Sequence, residues 1–304
     1  MRNHSITHIL HAAQSVPWSI LPEKFAEIRH FLWSRANGVE ISAEEKEAWL
    51  KKAEDRQRFT RTGSVAIIPV MGTISQRMNM LSAMSGGTST EMLTKEINTA
   101  VADPDISAIV LNVDSPGGTV SGLPEIHSAI LSARDKKPIV VSVNSMSASA
   151  AYWITSAASE ISITPSGEAG SIGVFAMHVD ESVALEQEGV KVSLIHFGDR
   201  KIDGNPFQPL SDEARGAIQK DVDAFGAMFH RDVAKGRGVS VADVREKFGQ
   251  GAMLLAKDAL SAGLIDRIES FDATISRLSR GGTKPGRKAE DLRMRTEMAG
   301  KFLK

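Results

Sequence analysis

The sequence predicts an α/β fold built on a mostly parallel sheet, with helices before and after it. The first observation is a set of five short runs rich in Val and Ile: SVAIIPVMGTI at 64–74, SAIVLNVDS at 107–115, PIVVSVNS at 138–145, EISIT at 160–164 and KVSLIHF at 191–197. Near-continuous apolar runs are what strands covered on both faces require. The second is what lies between them: STEMLTKEINTAVAD, TVSGLPEIHSAILSARDKK and ASAAYWITSAAS have helical character. Strands alternating with helices imply βαβ crossovers. Such sheets place their chemistry in loops beyond the carboxyl ends of the strands.

Residues 1–61 read as a helical N-terminal arm, because LPEKFAEIRHFLWSRA and SAEEKEAWLKKAEDRQRF carry apolar residues at three- and four-residue steps. Ser42 followed by Glu45 has the spacing of a capping box. No strand is expected in this arm, which is placed against the core or a neighbouring subunit. The main domain spans 62–279. Its helical pattern resumes after 210, in LSDEARGAIQKDVDAFGAMFHRDVAKGRG and SVADVREKFGQ, and ALSAGLIDRIESFDATISRLSR closes the core. From 280 to 304 the chain holds eight Lys or Arg against three Asp or Glu, with Gly-Gly and Pro-Gly steps. This reads as a flexible basic tail.

Composition narrows the function. The 304 residues contain no cysteine, which removes disulfides, thiolate nucleophiles and sulfur-ligated metal sites. A formal net charge of -1 gives no general reason to expect nucleic acid or membrane as a partner. The N-terminus lacks a basic region followed by an apolar stretch, and no 18-residue apolar run occurs, so a cytoplasmic protein is expected. His4, His8 and His11 share a helical spacing but lack a carboxylate partner and read as a surface stripe. Neither metal nor cofactor is expected, since no HExxH, Walker A loop, GxSxG elbow or dinucleotide fingerprint is present. Trp18, Trp33 and Trp49 read as core or interface anchors.

Three stretches fall at predicted strand ends. In NVDSPGGTVSG, 112–122, Gly117 and Gly118 allow a sharp turn with exposed N–H groups suited to an oxyanion, although Pro-Gly-Gly is also an ordinary turn. In SMSASAAYW, 145–153, a hydroxyl would stand at a helix N-terminus, or serve only as its cap; composition does not rank Ser145, Ser147 and Ser149. In HFGDRKIDGNPF, 196–207, Lys201 directly follows a predicted strand. Such a lysine is ordinarily a solvated loop charge. When partly buried it loses its proton more readily and deprotonates a serine.

In this order the three stretches resemble the signal peptide peptidase A or protease IV family, serine peptidase family 49, over about residues 64–270. SMSASAAYW is similar to that family's SMAASGGYY, and Gly198, Lys201 and Pro206 match its GxxKxxxxP pattern. DSPGG, GSIGV at 170–174 and ALSAGLID at 259–266 add to the likeness. The resemblance implies a Clp-protease/crotonase-like fold and a Ser/Lys dyad of Ser149 and Lys201. It further implies an oxyanion hole from Gly118 and Ala150 with Gly117 shaping the turn, and substrate contacts at Ser171, Ile172 and Gly173. Ala150-Ala151 stands where the family has two glycines, which keeps space but lowers backbone freedom.

Among the family's branches, the short chain, the SVPWSILPEKF arm and the stretch from Gly72 to Ser89 look most like phage head-maturation proteases of the lambda protein C type. That likeness implies scaffold, portal or capsid proteins as substrates, a homo-oligomer, and a place in the host cytoplasm within the prohead. Competing readings are a cytoplasmic housekeeping peptidase of the same chemistry, a crotonase-type acyl-CoA enzyme, an inactive assembly scaffold, and a Ser/His/Asp triad through His178, which follows GSIGVFAM, read as a strand lining the site.

Overall fold

A computed structural model describes residues 17–36, 42–78, 83 and 86–281. The histidine stripe at 4–11 and the tail beyond 281 lie outside the described residues. The central sheet runs β10-β7-β6-β5-β3-β2. Its strands are β2 (Thr60–Thr62), β3 (Val65–Ser75), β5 (Ala108–Thr119), β6 (Ile139–Ala148), β7 (Glu160–Ile163) and β10 (Arg267–Ile268). The β3–β5, β5–β6, β6–β7 and β7–β10 pairs are parallel, and β2 is antiparallel to β3. The expected α/β class with a mostly parallel sheet is borne out.

The apolar runs are continuous because both faces of the strands are covered. Ala66, Ile68 and Val70 of β3, Ile109, Leu111 and Val113 of β5, and Ile139, Val141 and Val143 of β6 point to one face. That face packs on α3 (Thr90–Ala102), α4 (Leu123–Arg134), α5 (Ala150–Thr155) and α7 (Asp212–Arg237). Val65, Val110 and Val140 point the other way, against Leu278 of α10 (Phe271–Ser279). Further helices are α1 (Pro22–Ala36), α2 (Ala43–Gln57), α6 (Ser182–Gln187), α8 (Val241–Lys247) and α9 (Ala256–Ala262). The α2 helix begins directly after Ser42, as the capping spacing predicts.

Four short strands lie around the ends of β3, β5 and β6. β4 (Thr88–Ser89) runs parallel to the end of β3, and β8 (Glu168–Gly170) runs parallel to the end of β6 and antiparallel to β9 (Met253–Leu255). β1 (Trp18–Ile20) lies antiparallel to Gly117–Thr119 of β5.

Three expectations are corrected. The N-terminal arm contains the strands β1 and β2. KVSLIHF at 191–197 forms no strand; residues 189–201 are exposed, with Ile195 99% and Phe197 100% accessible. A strand needs an edge to pair with, and this run pairs with none among the described residues. GSIGVFAM contributes β8 through Gly170 and then only an isolated bridge at Phe175.

Candidate active site

Ser149 occupies the turn between β6 and α5, where φ is 54° and ψ is -115°. A non-glycine residue at positive φ is uncommon and costs on the order of 1–3 kcal/mol. The turn is held from both sides. The Ser149 N–H donates to Gly170 O of β8 at 2.8 Å, and the following helix is pinned by large buried side chains. Tyr152 donates its hydroxyl to Leu264 O at 2.9 Å, while Trp153 stacks on Phe229 at 4.3 Å and donates Nε1–H to Asp232 Oδ2 at 2.8 Å. Ala148, Ala150 and Ala151 are fully buried. Small side chains on both sides of Ser149 therefore let the helix start close against the sheet. Ser147, by contrast, bonds Thr155 Oγ1 at 3.0 Å inside the core. Position thus ranks the serines that composition left equal.

Gly117 and Gly118 run beside this turn. Gly117 has φ 104°, and its N–H donates to Ser115 Oγ at 3.2 Å, which in turn donates to Gly72 O at 2.6 Å. A Cβ on Gly118 would lie 1.8 Å from Ile74 O, a main-chain atom, so only glycine fits. Ala150 is the first residue of α5, and its N–H is among those with no intrahelical acceptor. Ser171 (φ 53°) and Ile172 are buried, and the Gly173 carbonyl approaches the serine, accepting from Ser149 Oγ at 3.5 Å.

Ser19 was missed by sequence reasoning. Its Oγ lies 2.7 Å from Ser149 Oγ and donates to Gly173 O at 3.1 Å. The available signal was WSI between Pro17 and Pro22, an alternating stretch that prolines bias toward extended backbone.

Lys201 lies on the exposed loop between α6 and α7, its N–H bonded to Gly198 O at 3.1 Å. Its ammonium makes no hydrogen bond or ion pair with any described residue, Ser149 included. His178 Nε2 pairs with Asn205 O at 2.9 Å rather than with the serine. Among the described residues no group of three His, Cys, Asp or Glu is placed to hold a metal ion, and no helix is long and apolar enough to cross a membrane.

A buried serine on a strained strand-to-helix turn beside a glycine edge is the arrangement by which one class of α/β proteins presents a serine nucleophile. Residues 132–283 match the family model described as Peptidase family S49, and the chain belongs to that family. The chain is 33% identical to capsid assembly protease C of Escherichia phage lambda over 82% of its length, covering 60% of that relative. It is 33% identical to head-tail preconnector protein GP5 of Enterobacteria phage P21, over 73% of its length and 45% of the relative. Protease 4 of Salmonella typhi is 30% identical over 71% of the chain and 34% of the relative. The chain thus spans less than two thirds of the length of these relatives. A ClpP1 mutant from Listeria monocytogenes superposes with a TM-score of 0.44 at 16% identity, covering 72% of this chain and 95% of that one.

Proposed function

We propose that the chain is a serine endopeptidase acting in phage head assembly, with Ser149 as nucleophile and Lys201 of a neighbouring copy as general base. The observation that carries this is the strained, buried turn at Ser149 beside the Gly117–Gly118 edge. Strain that the surrounding fold maintains is a mark of a working position.

In the mechanism, a neutral Lys201 amine accepts the Ser149 proton while Oγ attacks the peptide carbonyl. The N–H groups of Gly118 and Ala150 stabilise the oxyanion, and Ser171–Gly173 line the peptide's path. The protonated lysine then gives its proton to the departing amine, and water, deprotonated by the same lysine, releases the acid. A loop carrying Lys201 with exposed Ile195 and Phe197 is suited to docking on another copy, which would bury the amine beside the serine. The names of the phage relatives favour scaffold, portal or capsid proteins as substrates. Incubating the protein with such proteins and mapping the fragments by mass tests the assignment: Ser149-dependent cuts are expected, and intact partners would contradict it.

A further inference from the structure

Residues Pro17–Leu21 run extended between the glycine strand and Phe175, with Ser19 against Ser149. One edge of the segment runs antiparallel to the glycine strand: Val120 N–H donates to Pro17 O at 3.3 Å and Leu21 N–H to Pro116 O at 3.0 Å. Antiparallel alternation makes Ser19 and Gly118, midway between these bonds, the next hydrogen-bonded pair. The Ser19 carbonyl therefore faces the same Gly118 N–H that the mechanism assigns to the oxyanion. The other edge is also taken, because Trp18 N–H donates to Phe175 O and Phe175 N–H to Trp18 O, both at 2.9 Å. Ser149 is left 1% accessible.

The segment is anchored as well as paired. Trp18 and Ile20 are buried in a small cluster with Phe25, and the Trp18 ring sits 5.0 Å from that of Phe25, which meets Phe175 edge-on at 5.7 Å. Between these two apolar side chains, only the small Ser19 faces the Ser149 hydroxyl.

We propose that Trp18–Ile20 is a built-in pseudosubstrate that fills the peptide groove uncut and has to leave before a substrate strand enters. The inference rests on Ser149 being the nucleophile. It assigns the groove a preference for an extended peptide with a small residue opposite Ser149 and bulky apolar residues on either side. Trp18 is the latch, since β1 is only three residues long and its main-chain bonds are ones a substrate would replace.

Two full-length variants test this. Trp18→Ala removes the latch. The double variant Trp18→Cys/Thr119→Cys joins directly opposed residues in a chain that has no other cysteine, so one molecule is read closed when oxidised and open when reduced. Two readouts are taken. The first is anisotropy of a fluorescent peptide, QSVPWSILPEK, binding in a Ser149→Ala background. The second is the rate of fluorophosphonate labelling with Ser149 present. Trp18→Ala and the reduced pair are expected to bind the peptide and to label at least roughly tenfold more than the wild type and the oxidised pair.

Equal binding and equal labelling in the oxidised and reduced forms would overturn the proposal, as would Ser149-dependent cleavage between Ser19 and Ile20 in the wild type. Peptide binding gated by reduction without any labelling would sustain the occupied groove and remove Ser149 as nucleophile. Rapid labelling that ignores the latch would do the reverse.

Discussion

Ser149 sits in a backbone conformation that an L-residue adopts only when its neighbours impose it, and the neighbours here are named: Gly170 O on its amide and the buried Tyr152 and Trp153 behind it. Replacing the hydroxyl leaves those restraints in place. Ser149→Ala is therefore expected to abolish cleavage and fluorophosphonate labelling with an unchanged melting profile. Gly118→Ala acts through the main chain instead, because its Cβ would meet Ile74 O at 1.8 Å and the strand edge has to move. Its melting midpoint should fall, and turnover should drop on the order of a hundredfold with the displaced donor; wild-type kinetics would refute the assigned edge. Ser149 is singled out in the sequence only by the joint pattern of SMSASAAYW with the glycines and the lysine. Any one stretch has a commonplace structural use, and Ser19 carries no chemical signature at all.

At the scale of elements, the strands of the central sheet were legible because two-sided burial leaves an unbroken apolar run. The same criterion failed at KVSLIHF, since apolar composition states a need for a partner without saying where the partner is. β1 failed in the opposite direction: three residues are too few for periodicity to register.

Helix packing carries its own predictions. Arg237 of α7 forms a two-pronged pair with Asp266, at 2.9 and 2.8 Å, and Asp266 also accepts from Ile161 N–H at 2.8 Å. Burial disfavours the arginine's charge, but the Asp266 carboxylate more than offsets this and holds the guanidinium above its ordinary value. Asp266→Ala should cost about 3–5 kcal/mol in denaturant unfolding, because a buried cation loses its partner.

His127 of α4 is buried with its Nε2 unbonded among the described residues, and burial lowers its pKa to about 4, opposed by Asp232 and reinforced by Lys235 and Arg134. A histidine with a depressed folded pKa binds its proton more readily when unfolded. Its contribution is thus complete above about pH 6.5 and is lost as pH falls toward 4. Urea midpoints measured across that window should fall more steeply for wild type than for His127→Gln, and parallel curves would contradict the burial argument.

Over the whole molecule, the sheet and its helices form a self-sufficient core, whereas the loop bearing Lys201 exposes Ile195 and Phe197 to solvent. Isolated apolar residues are normal on a surface, but two nearly fully exposed large ones on a segment of strand-like composition are what the proposed docking on another copy would cover. Phe197→Asp is expected to shift the protein to smaller species in light scattering and to remove activity while each chain stays folded. This part of the proposed site was the least legible, because a single sequence gives the residues of a surface without saying what covers it.

The most direct measurement mixes two inactive proteins. Ser149→Ala and Lys201→Ala are each purified, dissociated, combined in equal amounts and reassembled, and peptide hydrolysis is followed. If the lysine is supplied by a neighbour in a head-to-tail ring, about a quarter of the sites pair an intact serine with an intact lysine, and activity returns to roughly that fraction of the wild type. A mixture that forms full-size assemblies yet stays as inactive as its components, or a Lys201→Ala protein that is fully active alone, would contradict the account.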